Sequence, residues 1–379
     1  MRSELKLAIS GLIIITVIFS SNTNLDISIL SGNYGRTDEF GSENANDKDD
    51  ILRIAYFPNL NHAPAIIQYE NGDFNVNFAK DNLSNTPISR TLYTSEHTLI
   101  EALYGDKIDV AYVNPSTIID AYILLGNQDF RIISGLSSGG VSFVVRNDSG
   151  IESINDLGGK TFASPHSGNS QDVALRTYLT NNGFDTVENG GNVTVVALKP
   201  SIIISQFQNK EIDGAWVPEP IPTILKQQAN GKIFVDERDL WSDGKFVTGN
   251  IIVRTDYLRE NPDVIKKLLE SHVEETSWIN ERLLNANSNR DKNNESEIIS
   301  AFNSGLENIT GKTYPYKILG EALSRIEFTA DPLSNSLQKI VKDAEDLGLI
   351  RMGLNWKEEF NKVYDMTLLD EVLIQKGIK

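Results

Sequence analysis

The chain of 379 residues contains no cysteine. This absence excludes disulfide scaffolds, thiolate metal sites, cysteine nucleophiles and lipid anchors attached to cysteine. Basic residues are also few, because 35 Lys and Arg stand against 52 Asp and Glu, which gives a formal net charge of −17. Nucleic-acid phosphates need clustered Lys and Arg, so we expect no nucleic-acid partner.

Sequence motifs for catalysis and metal binding are absent as well. The chain has no G-x-S-x-G, no H-E-x-x-H and no P-loop,. Its four histidines show no i, i+4 pairing of the kind that binds zinc,. We therefore expect no metal, no cofactor and no enzymatic activity, and one alternative stays open, in which His62 and Glu219 act together as general acid and base.

The composition that remains is that of a globular protein, with 40% hydrophobic and 23% charged residues,. The chain is longer than a domain with a single hydrophobic core usually is, so we expect two lobes. Short β-branched runs alternate with amphipathic helical patterns from residue 51 onward, which predicts an α/β fold,. We expect a monomer.

The first fifty residues predict export from the cytoplasm. Arg2 and Lys6 precede an apolar run over residues 7–19, so residues 1–20 form a signal peptide or an N-terminal membrane anchor,. No A-x-A cleavage site follows, and both alternatives stay open. Residues 21–50 are rich in Ser, Asn, Gly and Asp, which predicts a disordered polar linker,. The expected location is the periplasm or the outer cell surface, with residues 7–19 as the tether if the leader is retained.

An internal duplication organises the rest of the chain. The segments LIEALYGDKIDVAYVNP (99–115) and IISQFQNKEIDGAWVPE (203–219) each predict an amphipathic helix, a polar turn and a buried strand, with Tyr112 opposite Trp216. Upstream, ILRIAYFPNLNHAPAI (51–66) and GKTFASPHSGNSQDVAL (159–175) each predict a strand, a polar loop and a helix start. Two similar α/β lobes follow, with a cleft between the carboxyl ends of their strands.

Two predicted helix starts suit an anionic ligand. Gly168, Asn169 and Gln171 precede or open one helix, and Asn114 and Ser116 open another. Free backbone N–H groups and the positive end of a helix dipole stabilise a carboxylate or sulfonate. For the first of these helices, the alternative is that Asn169 or Ser170 only caps it.

Further candidates lie in the other loops of the predicted cleft. Ser138 and Gly139 belong to a glycine-rich segment that binds oxyanions through backbone amides or acts as a hinge,. Asn61 and His62 supply an amide and an imidazole at a third helix start.

The segment Trp216-Val217-Pro218-Glu219-Pro220 is the most informative of these loops. A Trp at a strand end, followed by two prolines, predicts a fixed aromatic wall. Glu219 would oppose a purely anionic ligand but suits a ligand amine. The alternative is a packed Trp and a surface Glu in a proline turn.

These loops together resemble the solute-binding proteins of ABC importers. The resemblance rests on RIAYFPNLNHAPAI, IDVAYVNP, SSGGVSFVVR, SGNSQDVALR, IDGAWVPEP and DLWSDGKFVTGNIIVRTDYL, and it covers residues 51–375 in order. Within that class the chain resembles the nitrate/sulfonate/taurine group, which is related to the thiamine-pyrimidine binding proteins.

The resemblance implies a two-lobed type II periplasmic-binding-protein fold with the ligand in the cleft between the lobes. Lobe one would comprise residues 51–137 plus 247–379, and lobe two residues 138–246. It further implies capture of a small anion or zwitterion, with an alkanesulfonate or taurine-like compound as the leading expectation, and delivery to a permease driven by an ATPase. Carried over motif by motif, the cleft candidates are Asn61, His62, Asn114, Ser116, Ser138, Gly139, Gly168, Asn169, Gln171, Trp216 and Glu219.

One departure from the family's pattern bears on the ligand. No Lys or Arg stands inside the loop motifs, which favours a ligand with an amine over bare nitrate. Three alternatives stay open: a binding protein for a thiamine-related pyrimidine or nitrate, a pyrimidine-synthase-like enzyme, and an anchored sensor on the same fold.

Overall fold

The structure is a computed structural model, and it describes residues 51–71, 88–93, 95–287 and 292–379. The signal or anchor segment and the polar linker expected before residue 51 lie outside the described residues. Within the described part of the chain, no helix has both the length and the apolar character needed to cross a bilayer.

Eleven strands in the described ranges form two separate sheets. Their bounds are β1 Leu52–Tyr56, β2 Ile88–Leu92, β3 Val110–Val113, β4 Phe130–Gly139, β5 Val141–Arg146, β6 Thr161–Ser164, β7 Thr194–Ala197, β8 Gly214–Pro218, β9 Gly231–Asp236, β10 Val247–Arg254 and β11 Ile326–Phe328. The first sheet has the order β11-β4-β10-β3-β1-β2, and the second has the order β7-β6-β8-β5-β9.

Helices cover the faces of both sheets. They are α1 Ala63–Asn71, α2 Glu96–Tyr104, α3 Pro115–Leu125, α4 Ser170–Asn181, α5 Pro200–Gln208, α6 Ile221–Gln228, α7 Thr255–Glu260, α8 Pro262–Asn287, α9 Lys292–Thr310, α10 Tyr316–Leu323, α11 Ser334–Asp346, α12 Trp356–Asn361 and α13 Thr367–Gln375. We call the first sheet with α1–α3 and α7–α13 the first lobe, and the second sheet with α4–α6 the second lobe.

The predicted duplication is confirmed by the sheet topology. In the first sheet β1 lies parallel to β2 and β3, and β10 lies antiparallel to β3 and β4. In the second sheet β6 lies parallel to β7 and β8, and β5 lies antiparallel to β8 and β9. Each sheet therefore repeats one five-strand pattern, and β11 is an addition at the edge of the first sheet.

The duplicated strands β3 and β8 are buried on both faces. Along β3, Tyr112 packs into one hydrophobic core while Val113 packs into another. Along β8, Trp216 and Val217 likewise enter two different cores. Successive side chains of a strand point to opposite faces, so both sides of each strand are covered. This explains why the strand sequences Val-Ala-Tyr-Val and Gly-Ala-Trp-Val are apolar without alternation,.

The chain passes from the first sheet to the second at Gly139 and Gly140. Both residues have positive φ angles, 78° and 71°. A Cβ atom at Gly139 would lie 2.6 Å from the carbonyl oxygen of Arg325, the residue just before β11. The crossing therefore requires glycine for its backbone conformation and for the close approach of a neighbouring backbone.

We predict that Gly139→Ala lowers the free energy of unfolding by about 2–4 kcal/mol, because it adds steric overlap to a left-handed backbone conformation. Gly150→Ala is the matched control, since Gly150 has a φ of 74° with no atom within 4 Å of a built Cβ. The control substitution should lower the free energy of unfolding by only about 1 kcal/mol. Urea unfolding measures both, and equal losses would contradict the role of the Arg325 contact.

Candidate functional site

Two helix starts, one from each lobe, meet at a single point. The backbone N–H of Ser170, the first residue of α4, donates a hydrogen bond to Oγ of Ser116 at the start of α3, over 3.0 Å. Both helices are capped by Asn side chains, because Asn114 Oδ1 accepts from the N–H of Thr117 and Asn169 Oδ1 accepts from the N–H of Asp172. The positive ends of two helix dipoles therefore converge between the lobes.

Asp172 occupies part of the positive end of α4. Its buried carboxylate accepts from the backbone N–H of Gly168 over 2.9 Å and from Ser164 Oγ over 2.8 Å, and Arg176 Nε donates to it over 3.0 Å. We expected the Gly168 loop to offer free N–H groups to a ligand, and for Gly168 itself this is wrong, because Asp172 already uses its N–H. Gln171 is half-buried in the same first turn.

Asn61 and His62 lie in a 3-10 turn, Leu60–His62, that Asn59 caps. The His62 ring is buried, and its Nδ1 accepts from the backbone N–H of Phe57 over 3.1 Å. Burial lowers the pKa of His62 to about 3, so the imidazole is neutral near pH 7 and supplies no cation for an anionic ligand,. Asn61 is also buried, and its Oδ1 has no hydrogen-bond partner among the described residues.

Ser138 and Gly139 form part of the crossing between the sheets. Ser138 Oγ accepts from the backbone N–H of Phe246, and the N–H of Gly139 donates to the Phe246 carbonyl. The Ser138 hydroxyl oxygen and the Gly139 N–H thus hold the two connecting segments together. A Cβ at Gly140 would lie 3.6 Å from Asn61 Oδ1, which places the Asn61 amide beside the crossing.

Trp216 does not form the aromatic wall that we expected. Its side chain is 0% exposed and stacks on Phe143, with ring centroids 5.4 Å apart. Its Nε1 donates to Glu237 Oε2 over 2.6 Å. The indole thus belongs to the core of the second lobe, because a large ring in mid-sheet packs against its neighbours.

Glu219 is engaged within the protein and does not stand free for a ligand amine. It lies in the second lobe, and its Oε1 accepts from Nη1 of Arg325 in the first lobe over 2.8 Å. Burial raises the pKa of Glu219 against the opposing effect of Arg325. Arg325 also pairs with Glu321, which in turn accepts from Lys226 and Gln227 of α6. These four side chains and Glu219 form a clamp between the lobes, which we call the interlobe clamp.

Residues 45–294, more than half of the chain, match the model of the NMT1-like family. The chain belongs to the NMT1-like family.

Curated relatives of this NMT1-like chain carry the names of binding proteins. A binding protein of Brucella abortus is 27% identical over 179 residues, which are 47% of this chain and 53% of that protein, so the chain spans about half the length of this relative. A Bacillus subtilis protein named for aliphatic sulfonate binding is 25% identical over 82% of this chain and 85% of its own length. The taurine-binding periplasmic protein of Escherichia coli is 25% identical over 52% of this chain and 58% of its own.

Solved structures show the fold of this NMT1-like chain. A structure named as a periplasmic sulfonate-binding protein of Methylobacillus flagellatus has a TM-score of 0.66 at 18% identity, over 87% of this chain and 95% of that one. The periplasmic nitrate-binding protein of Synechocystis has a TM-score of 0.65 at 15% identity, over 87% of this chain and 90% of that one. The expected two-lobed periplasmic-binding-protein fold is confirmed.

Two residues of the candidate site could not be found from the sequence. Arg325 stands 106 residues from Glu219 in the chain, so no local motif joins them. Glu96 opens α2, and its Oε1 accepts from Nδ2 of the cap residue Asn114 over 2.6 Å. The one signal for Glu96 was its position after a strand, at the same sheet edge as the other loops.

We predict that Glu237 makes stability depend on pH. Burial raises the pKa of its carboxyl from 4.5 to about 7, against the opposing hydrogen bonds from Trp216 and Trp241. The folded state thus binds more protons than the unfolded state between these values, and stability falls as pH rises through them. Relative to Glu237→Gln, the wild type should lose about 2.5 kcal/mol of unfolding free energy between about pH 5 and pH 8.

The comparison with the variant isolates this carboxyl. His62 and His272 are buried with pKa values lowered to about 3 and about 4, so they destabilise the fold as pH falls, but they are the same in both proteins. Urea unfolding at several pH values measures the difference. A difference that does not change with pH would contradict the raised pKa.

Proposed function

We propose that this chain is the extracytoplasmic solute-binding component of an ABC importer. It captures a small organic anion or zwitterion, an aliphatic sulfonate or a taurine-like compound, between its lobes and delivers it to a permease that an ATPase drives. Membership of the NMT1-like family and relatives named for sulfonate and taurine binding support this proposal. The observation that carries it is the meeting of two helix starts at the Ser116–Ser170 hydrogen bond.

The proposed lobes comprise residues 51–137 plus 247–379 and residues 138–246. Ser138 and Gly139 are the last two residues of β4, although these bounds place them in the second set. All strands of the first sheet otherwise lie in the first of these sets, and all strands of the second sheet lie in the other. This division gives the hinged arrangement that closes around a ligand.

We assign the polar groups between the lobes to the two ends of a taurine-like ligand. A sulfonate would lie at the starts of α3 and α4, near Ser116 and Asn169, where helix dipoles favour negative charge. An ammonium group would bind Asn61 Oδ1, a buried acceptor without a partner among the described residues. An unpaired buried acceptor is costly, so a donor from the ligand would remove that cost.

The pyrimidine alternative needs Trp216 for stacking and Glu219 for an amine. Both side chains are engaged inside the protein, and we do not propose that ligand. A binding role fits better than catalysis by His62 with Glu219, since Arg325 pairs with Glu219 and the His62 Nδ1 is occupied.

The first prediction from this proposal concerns ligand choice. Taurine and a short alkanesulfonate should stabilise the purified protein by about 2.7 kcal/mol at a hundredfold excess over Kd, because they bind the folded state alone. Thermal unfolding with each compound, and with nitrate, measures this effect. Unchanged melting curves across the panel would contradict the proposal, and stabilisation by nitrate alone would contradict the organic ligand.

The second prediction concerns Asn61. Asn61→Ala should weaken taurine binding by about tenfold or more, because a hydrogen bond to a charged group is lost. It should leave the affinity for an ethanesulfonate without an amine nearly unchanged. Isothermal titration measures both ligands, with Asn189→Ala, at an exposed position of the second lobe, as the matched control. Equal losses for the two ligands would refute the assignment of the ammonium to Asn61.

A further inference from the structure

A pocket lies between the lobes, away from the two helix starts. It encloses about 530 Å³ and is formed by the later turns of α4, the segment that follows β9, and α11 of the first lobe. None of the cleft candidates near Ser116, Asn61 or Asn169 lines it. Three aromatic rings do, those of Tyr178, Phe234 and Trp241. A concave site with aromatic walls and a few polar groups is the usual form of a small-molecule site.

The pocket contains a buried carboxyl group. Glu237 is 6% exposed, and the hydrogen bonds that orient it come from indole N–H groups, with 2.6 Å to Trp216 Nε1. These donors are neutral and leave the negative charge of the ionised carboxylate without a bonded cation. An ionised group in such a setting is stabilised by a cation brought to it.

The charges around the pocket favour a cationic occupant. Three carboxyl groups line it, Glu237, Asp239 and Asp343, against one ammonium, that of Lys339. Lys339 donates to Asp343 and also lies 5.4 Å from the ring centroid of Trp241. The exposed face of Trp241 thus already supports a positive charge.

We propose that this pocket is a second binding site, which takes a small organic cation with a protonated amine on an aromatic or apolar body. The amine binds the Glu237 carboxylate, and the body packs between Tyr178, Phe234 and Trp241. Leu240 and Ile154, which are 47% and 39% exposed, extend the apolar surface at its edge. Because Lys339 and Asp343 belong to the first lobe, an occupant contacts both lobes.

The test is titration calorimetry of the full chain with three ligands of similar shape: 2-phenylethylammonium, neutral 2-phenylethanol and anionic 3-phenylpropionate. It is done near pH 8, where Glu237 is ionised and the amine, with a pKa of about 10, is still protonated,. The amine should bind at least about tenfold more tightly than the alcohol, and the acid should bind less tightly still. Absence of amine binding up to about 10 mM, or equal binding of amine and alcohol, would overturn the site.

Two variants locate the binding. Glu237→Gln keeps an acceptor for the indole N–H and should weaken amine binding by about tenfold or more. Glu211→Gln removes the same charge from an exposed position and should leave the affinity unchanged. An equal affinity loss in both variants, or none in Glu237→Gln, would overturn the proposal. If Glu237→Gln does not fold, the comparison of the three ligands on the unmodified protein decides.

A final titration separates this site from the proposed cleft. Amine binding should persist when taurine or an alkanesulfonate saturates the protein. Displacement of the amine by either ligand would place it in the cleft and overturn the second site. Because the amine is titrated directly, the test remains informative even if no sulfonate binds.

Discussion

The close approach of the backbone at the crossing between the two sheets is the constraint on which the rest of this structure depends. Gly139 and Gly140 pass beside Arg325 and Ile326 with no room for a side chain at either position. The N–H of Glu219 then donates to the carbonyl of Gly140 over 2.8 Å, which ties the end of β8 to the same point. These contacts set the distance between the carboxyl ends of the two sheets. The helix starts that follow those strands, at Ser116 and Ser170, meet as a result.

Positive fields at the helix starts act locally against the net negative charge of the chain. A net charge of −17 repels an anion at long range,. The converging starts of α3 and α4 offer a positive field that is confined to the first turn of each helix. Asp172 weakens the field of α4, and Arg176 restores the balance of charge over 3.0 Å. Binding of the proposed anion would therefore rest on helix dipoles and on a few paired charges, and an ammonium group on the ligand itself would reduce the repulsion further.

Features that depend on residues close together in the sequence could be predicted from it, and features that depend on residues far apart could not. The duplicated strands and the cap Asn169 depend on residues within a few positions of one another, and the structure confirms them. The surroundings of Trp216 depend on Phe143 and Glu237, which come from other strands and turns. A Trp at a strand end can line a ligand cleft or pack in a hydrophobic core. Only the packing of the whole sheet decides between these two positions. Arg325 reaches Glu219 across 106 residues, beyond any local pattern.

The interlobe clamp bears on how strongly the closed arrangement is favoured before any ligand binds. The Glu219–Arg325 pair is largely buried, with side-chain exposures of 0% and 13%. Separating this pair would return both ions to water, and the regained hydration would offset most of the lost attraction, since burial of ion pairs is costly. The Lys226–Glu321 pair is more exposed and contributes little,. The clamp therefore specifies how the lobes align more than it adds to stability.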